Sequence, residues 1–218
     1  MNADARVRWV LKPVVHALAL WPLAAVAWAV FVDGGRSLGA NPVAELIHTL
    51  GTWGLNFLLL TLAVSPLREL TRWPHWLRFR RMLGLYAFAY LLLHLLAYVV
   101  VDQGLAWDVL VEDVLERPWI TIGVAGLLLL VPLAFTSTAG WMRRLGRRWQ
   151  RLHRLVYPAT ALGLWHFYWQ VKLDVREPLL YAAAFALLMA WRVRRWRRRA
   201  AGRPAVRGAG DGPLPAER

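Results

Sequence analysis

Long, mostly uncharged stretches of apolar residues alternate along this chain with short polar segments. Six of the stretches have about the length of an α-helix that crosses a bilayer core of about 30 Å, which takes roughly 20 residues. They cover residues 14–32, 44–64, 82–101, 119–135, 152–171 and 179–193. The pattern predicts an all-α fold, a polytopic membrane helix bundle with six transmembrane helices.

The polar segments between these stretches differ in the sign of their charge. Segments 65–81 and 136–151 each hold five arginines, whereas segment 102–118 holds five acidic residues and one arginine. Short arginine-rich loops stay in the cytoplasm. We therefore expect segment 102–118 on the outer side and both termini in the cytoplasm, in a multi-pass protein of the bacterial inner membrane.

Two regions divide the chain. Residues 1–199 hold all six predicted spans and form one membrane domain. Residues 200–218 are rich in Gly, Pro and Ala and have no apolar period, so we expect a disordered tail there. No convincing internal repeat is seen, and no segment is large enough for a soluble nucleotide-binding domain.

Composition excludes several classes of function. The chain is 58% hydrophobic yet carries 27 Lys and Arg against 13 Asp and Glu. The basic residues flank runs that are too apolar for a soluble nucleic-acid-binding domain. Cysteine is absent, which excludes disulfides, thiolate metal sites and covalently attached c-type haem. A cofactor should therefore be held non-covalently, through nitrogen or oxygen ligands.

Two histidines lie deep within predicted spans, where ionisable side chains are costly and are functional candidates by default. His94 lies roughly 18 Å along the third span from its cytoplasmic end, and His166 roughly 21 Å along the fifth, at 1.5 Å per residue. Imidazoles at one level on facing helices can supply both axial ligands of a haem iron. The sequence therefore predicts b-type haem between them, although each could be a packed hydrogen-bonding residue.

His153 lies about 20 Å below His166, at the cytoplasmic end of the fifth span, and could serve a second haem. Thirteen residues of ideal helix rotate by about 220°, so the two histidines do not share one stripe unless the helix is distorted. The third span has Arg80 or Arg81 at this level. Either guanidinium could pair with a haem propionate or a flavin phosphate.

The remaining candidates are weaker. His16 and His48 lie near span ends, where an interfacial imidazole costs little, and His75 lies in a Trp- and Arg-rich loop and is expected at the surface. The carboxylates between 108 and 116 are expected to form a solvated acidic surface. That surface could dock a partner electrostatically.

Three long runs carry a family resemblance, and it extends over nearly the whole chain to about Arg199. They are RRMLGLYAFAYLLLH at 80–94, RPWITIG at 117–123 and LAFTSTAGWMRRLGRRWQRLHRLVYPATALGLWHFYWQVK at 133–172. With them the chain resembles the MsrQ (YedZ) family, the haem-binding membrane subunits of protein-methionine-sulfoxide reductase systems, in the ferric-reductase-like transmembrane superfamily.

This resemblance implies an electron-transfer subunit and not a catalytic one. Electrons would pass from the respiratory quinone pool, or from a cytoplasmic flavin reductase, through one or two b-type haems to a periplasmic molybdopterin subunit that reduces methionine sulfoxide in damaged proteins. His94, His153 and His166 match the family's haem histidines, and Arg80 matches an arginine implicated beside them. The resemblance also implies FMN. No flavin and nicotinamide domain follows the sixth span, so the donor is expected to be another molecule.

Two other functions remain open at this point. The chain could be a self-sufficient reductase that passes electrons directly to ferric chelates. It could also be a small transporter or assembly factor that uses its histidines for protons and binds no haem.

Overall fold

A computed structural model describes residues 3–171 and 174–201, and the regular elements in this part of the chain are helical. The main helices are α1 Asp4–Phe31, α2 Pro42–Thr71, α3 Pro74–Asp102, α4 Trp107–Glu116, α5 Pro118–Phe135, α6 Ala139–Leu145, α7 Arg147–Leu152, α8 Val156–Gln170 and α9 Arg176–Ala201. The all-α prediction is confirmed. Ala200 and Ala201 continue α9, and the rest of the predicted tail lies outside the described residues.

Among the described residues, four helices are long and apolar enough to cross a membrane: α1, α2, α3 and α5. They coincide with the first four predicted spans, and each is as long as its predicted span or longer. The fifth and sixth predicted spans correspond to α8, which has 15 residues, and to α9, whose last turns are rich in arginine. Many large apolar side chains on the outside of the bundle are exposed, such as Trp21, Leu128 and Leu187, as expected of a lipid-facing surface.

Two antiparallel helix pairs, α2 with α3 and α5 with α8, form the most extensive interfaces in the bundle. A glycine makes each pair close: a Cβ on Gly54 would lie 2.6 Å from the Leu91 side chain, and one on Gly126 would lie 3.4 Å from the Ala159 carbonyl oxygen. Small residues allow such approach between helices in membranes. These two pairs position the candidate site.

Helix α1 is attached to α3 by the Tyr90 side chain, which is 1% exposed. Its hydroxyl donates to the Ala19 carbonyl oxygen at 2.7 Å and accepts from the Leu23 amide at 3.0 Å. These two groups would otherwise bond to each other in the helix. The hydroxyl is therefore inserted into α1 beside Pro22, where proline already interrupts the hydrogen-bond ladder.

Helix α9 is attached to the rest of the bundle by Arg192. Its guanidinium donates to the Leu62 carbonyl oxygen at 2.5 Å, to the Leu188 carbonyl oxygen at 3.0 Å and to the Tyr157 hydroxyl at 3.3 Å. Partners from three helices satisfy this cation, which would be costly to bury unpaired.

The acidic segment between α3 and α5 departs from the prediction. It forms α4, an amphipathic helix that buries Leu110 and Asp113 and exposes Asp108 and Glu112. The expectation of a uniformly solvated acidic surface was therefore wrong for Asp113, because that residue lies three positions after Leu110 on the same helical face.

Candidate functional site

His94 on α3 and His166 on α8 face each other across the centre of the bundle. Their ring centroids are 6.0 Å apart, and the ring planes are inclined by 79°. The two residues were predicted to lie at a common level, and in the structure their rings lie next to each other. Both rings line one cavity of about 340 Å³ enclosed by the two helix pairs.

Each of these rings is held by a backbone carbonyl of the neighbouring helix. Nδ1 of His94 donates to the Ile47 oxygen at 2.8 Å, and Nδ1 of His166 donates to the Trp119 oxygen at 2.7 Å. A carbonyl oxygen only accepts, so the proton lies on Nδ1 of both rings. Nε2 is then the unprotonated nitrogen available to a metal, and the carbonyl fixes both the tautomer and the ring orientation.

A glycine lies beside each imidazole. A Cβ on Gly51 would lie 2.9 Å from Nδ1 of His94, and a Cβ on Gly123 would lie 2.9 Å from Nδ1 of His166. Both are closer than side chains tolerate, since carbon contacts are normally about 3.5–4.0 Å. The two positions thus admit only glycine while the rings keep this orientation.

These contacts reveal an internal repeat that sequence reasoning missed. His94, Ile47 and Gly51 each have a counterpart 72 positions later, in His166, Trp119 and Gly123. Most of the cavity lining pairs at the same spacing, including Leu55 with Leu127, Leu58 with Leu130 and Tyr98 with Gln170. The pair α2 and α3 is therefore repeated as α5 and α8, with an approximate two-fold relation between the imidazoles. The earlier expectation of no repeat was wrong.

The cavity has an apolar body and one polar end, beside α4. Leucines from both halves of the repeat line the body, whereas Tyr98, Asp102, Arg117 and Gln170 line the polar end. His48 also lines the cavity, and its ring lies 5.8 Å from that of Phe167. Sequence reasoning gave His48 little weight, and it did not single out Tyr98 or Arg117.

His153 lies apart from the other two histidines, on a 3-10 turn, His153–Leu155, between α7 and α8. Its ring stacks on Trp149 with centroids 3.8 Å apart, and its Nδ1 donates to the Trp149 carbonyl oxygen at 3.1 Å. Nε2 of His153 is buried and makes no hydrogen bond of normal geometry in the described part of the chain, although the Leu133 backbone interacts with the ring. A buried polar atom without such a bond requires an explanation, and an iron ligand is one.

The 3-10 turn also changes the direction of this side chain. Each 3-10 residue advances by about 120° instead of about 100°, so three of them add about 60° to the rotation of an ideal helix. His153 is thereby turned to within about 80° of the direction of His166, a smaller offset than the roughly 140° of an undistorted helix. The 3-10 turn is therefore a distortion of the kind that the sequence required if both histidines were to face a similar direction.

The structure separates the two candidate arginines on α3. Arg80 is half-buried and interacts electrostatically with His153, Tyr157 and Arg192, whereas Arg81 is exposed. Arg80 precedes His94 by fourteen residues, so the two lie within about 40° on an ideal helix. Of the two arginines, Arg80 is the one on the face that carries the candidate ligands.

The last two histidines lie outside the cavity lining. His16 is exposed and bonds through Nδ1 to the Tyr86 hydroxyl at 2.7 Å. His75 approaches Asp4 at 3.5 Å, beside the ion pair between Arg78 and Asp4 at 2.8 Å.

The facing pair His94 and His166 fits a haem iron on geometric grounds. With a nitrogen–metal bond of about 2 Å, an axial imidazole has its ring centre about 3 Å from the metal, so two axial rings lie about 6 Å apart. The observed separation is 6.0 Å. The apolar body of the cavity also suits a porphyrin, which is largely apolar.

Comparison with known proteins agrees with this geometry. Residues 50–164 match the family described as ferric reductase like transmembrane component. A protein-methionine-sulfoxide reductase heme-binding subunit MsrQ from Xanthomonas euvesicatoria pv. vesicatoria is 52% identical over 199 residues, 90% of either chain. A protein of the same name from Xanthomonas oryzae pv. oryzae is 51% identical, and the match covers 91% of each chain. Another from Caulobacter vibrioides is also 51% identical, and the match covers 82% of this chain and 84% of the relative.

Proposed function

The chain belongs to the MsrQ family of heme-binding subunits, within the ferric-reductase-like transmembrane proteins, and from this premise we propose that it carries electrons across the bacterial inner membrane through b-type haem. Haem binding and partnership with a methionine-sulfoxide reductase are what the relatives' name states of them. The observation that carries the proposal to this chain is the pair of facing imidazoles, His94 and His166, 6.0 Å apart.

In this proposal the protein holds and insulates the cofactor, and haem, when bound, supplies the one-electron exchange between ferric and ferrous iron. The carbonyls of Ile47 and Trp119 keep Nε2 of each histidine directed away from them. The leucines of the cavity body exclude water and lower the local polarity, which sets the reduction potential together with the axial ligands. No side chain of the chain needs to act on a substrate, so we assign it no catalytic residue.

A second, inner haem is proposed at His153. Its buried Nε2, which makes no hydrogen bond of normal geometry in the described residues, supports this role. The 3-10 turn that rotates His153 toward the face of His166 also supports it. Arg80 is the residue expected at an anionic group there, either a haem propionate or the phosphate of FMN. Two haems at two levels would give electrons a path from the cytoplasmic to the outer side.

We propose that α8 and α9 also span the membrane, giving six spans with both termini in the cytoplasm. The arginines of α6, α7 and the end of α9 would then lie on the cytoplasmic side, as short basic segments do. Arg192 on α9 would reach its carbonyl partners from this end. The acidic helix α4 would lie on the outer side, above the cavity that holds His94 and His166.

The donor proposed is the respiratory quinone pool or a cytoplasmic flavin reductase, and the acceptor is a periplasmic molybdopterin-containing subunit that reduces methionine sulfoxide. A stopped-flow measurement tests this assignment. The purified haem-loaded protein is reduced, and its reoxidation is followed after addition of the catalytic subunit with oxidised protein. Reoxidation should need both additions.

The other functions give different results in the same experiment. Rapid reoxidation by ferric chelates alone, without the catalytic subunit, would indicate a self-sufficient ferric reductase. Absence of haem bands in the reduced-minus-oxidised spectrum would contradict electron transfer and favour a transporter.

A further inference from the structure

Three side chains close the outer end of the cavity. Asp113 of α4 accepts a hydrogen bond from the Tyr98 hydroxyl and forms an ion pair with Arg117, whose Nε lies 3.0 Å from the Asp113 carboxylate. Tyr98 and Arg117 both line the cavity that holds His94 and His166. The network therefore connects α4 directly to the candidate haem site.

The burial of Asp113 is the unusual feature of this network. The neighbouring acidic residues Asp108, Glu112 and Glu116 are exposed, whereas Asp113 is only 4% exposed. A carboxylate is costly to bury unless it is paired and hydrogen-bonded. Here the pairing restrains the guanidinium of Arg117 at the cavity mouth, because it engages Nε and leaves Nη1 and Nη2 to bind another anion.

The two halves of the repeat differ in charge at the positions of Arg117 and Asp113. Seventy-two positions before Arg117 stands Glu45, and 72 positions before Asp113 stands Asn41. These counterparts have local roles: Asn41 caps α2 by accepting from the Ala44 amide at 3.2 Å, and Glu45 accepts from the Thr49 hydroxyl at 3.4 Å. Arg117 thus has no basic counterpart in the other half of the repeat, where Glu45 is exposed and is not among the residues that line the cavity.

We propose that Arg117 binds a haem propionate at the outer end of the cavity, and that Asp113 and Tyr98 position it. The proposal rests on the proposed function, since it requires haem between His94 and His166. Haem has two carboxylates on one edge and none on the opposite edge, and guanidinium pairs with carboxylate through charge-assisted hydrogen bonds. Arg117 would therefore select which edge of the cofactor lies under α4.

Asp102 also lines the mouth, and its carboxylate would repel a propionate. It already accepts a hydrogen bond from the Gln103 amide at 2.7 Å, and the residue is exposed to solvent. Solvent screens an exposed charge. The Arg117 side chain is itself 50% exposed, so the preference of this end for an anion rests on the fixed position of its guanidinium and on the free Nη1 and Nη2, and not on net charge.

The test is a thermodynamic cycle that combines a change in the protein with a change in the cofactor. Haem-free protein is titrated with haemin and with haemin dimethyl ester, in which both propionates are neutral, and the same titrations are made on Arg117→Gln. Esterification should weaken binding to the unmodified protein by about 10- to 100-fold, the range for a hydrogen bond between charged groups. It should weaken binding to Arg117→Gln by less than about threefold. An equal loss in both proteins would overturn the proposal.

Two further variants separate positioning from folding. Asp113→Asn should reduce the effect of esterification, because Arg117 is no longer restrained. It should also raise the haem reduction potential, because loss of the carboxylate leaves a net positive charge near the iron, which favours the ferrous state. Asp108→Asn, on the exposed face of the same helix, is the matched control and should change neither quantity. An unchanged potential and an unchanged ester effect in Asp113→Asn would refute its positioning role.

The outcomes also distinguish this inference from the function on which it rests. If the unmodified protein binds haemin with two histidine ligands but shows no ester effect, Arg117 has no such role and the proposed function stands. If the unmodified protein binds no haemin, the proposed function itself fails. Circular dichroism identifies misfolding of Arg117→Gln. In that case the comparison of haemin with its dimethyl ester in Asp113→Asn tests the proposal instead.

Discussion

Replacement of the glycines beside the two central histidines should displace the rings without unfolding the protein. In Gly51→Ala, the new Cβ would lie 2.9 Å from Nδ1 and 3.1 Å from Cε1 of His94. Ordinary contacts of this kind are about 3.5 Å or longer, so the ring must move by roughly half an ångström. That movement strains or breaks the 2.8 Å hydrogen bond to Ile47. Gly123→Ala should act in the same way on His166.

The expected effect is small for folding and large for haem binding. Loss of the ring's hydrogen bond costs about 1 kcal/mol, and loss of a group that orients a metal ligand typically lowers metal affinity about 10- to 100-fold. Alanine in a helix is favoured over glycine by roughly 0.5–1 kcal/mol, which offsets much of the first cost. The free energy of unfolding should therefore change little while haem affinity falls.

Gly84→Ala on α3 is the matched control. A Cβ there would meet the Thr61 methyl carbon at 3.7 Å, an ordinary contact. Haem content after purification and the proportion of low-spin iron in the optical spectrum measure the effect. If Gly51→Ala and Gly123→Ala keep the haem content and low-spin spectrum of Gly84→Ala, the glycines do not orient the ligands and this reasoning is refuted.

Three further predictions concern the inner site, the fold and the topology. His153→Ala should halve a two-haem stoichiometry, measured by the pyridine haemochrome assay, and leave the outer low-spin signal; loss of both haems would argue against separate sites. Tyr90→Phe removes the hydroxyl that joins α3 to α1, so that Ala19 and Leu23 can bond only to each other, and it should destabilise the protein by about 1 kcal/mol in thermal unfolding; an unchanged midpoint would contradict the inserted hydroxyl. Reporter fusions within 108–116 should report the outer compartment, and a cytoplasmic result would reverse the proposed orientation.

The levels of His94 and His166 could be predicted from sequence because the rise per residue of a helix is fixed. Their carbonyl partners could not. Ile47 and Trp119 each precede their histidine by 47 positions and lie on another helix, so only packing brings them together. The same limit applies to Tyr90, whose two partners on α1 are about 70 positions away.

The internal repeat left a signal in the sequence that was too short to recognise alone. G-x-x-G-L occurs at 51–55 and again at 123–127, and each copy begins 43 residues before a histidine. Apolar residues fill most of the remaining positions of both halves, and membrane helices share such composition without being related. The repeat is recognised only from the structure, in which both glycines lie against the histidine rings.

The direction of two side chains depended on local geometry that composition does not specify. His153 is turned by a 3-10 segment of three residues, and no residue type there enforces that segment. Asp113 stands among exposed acidic residues and is turned inward because Leu110, three positions earlier, anchors the same face of α4. Helical periodicity within the acidic segment would have indicated this inward face.

The central claim is that His94 and His166 bind one iron between them, and low-temperature electron paramagnetic resonance of the haem-loaded protein tests it most directly. The account predicts that His94→Ala and His166→Ala each abolish the low-spin signal of the outer haem, whereas His16→Ala leaves it intact. Persistence of that signal in either of the first two variants, with the protein folded, would contradict the account.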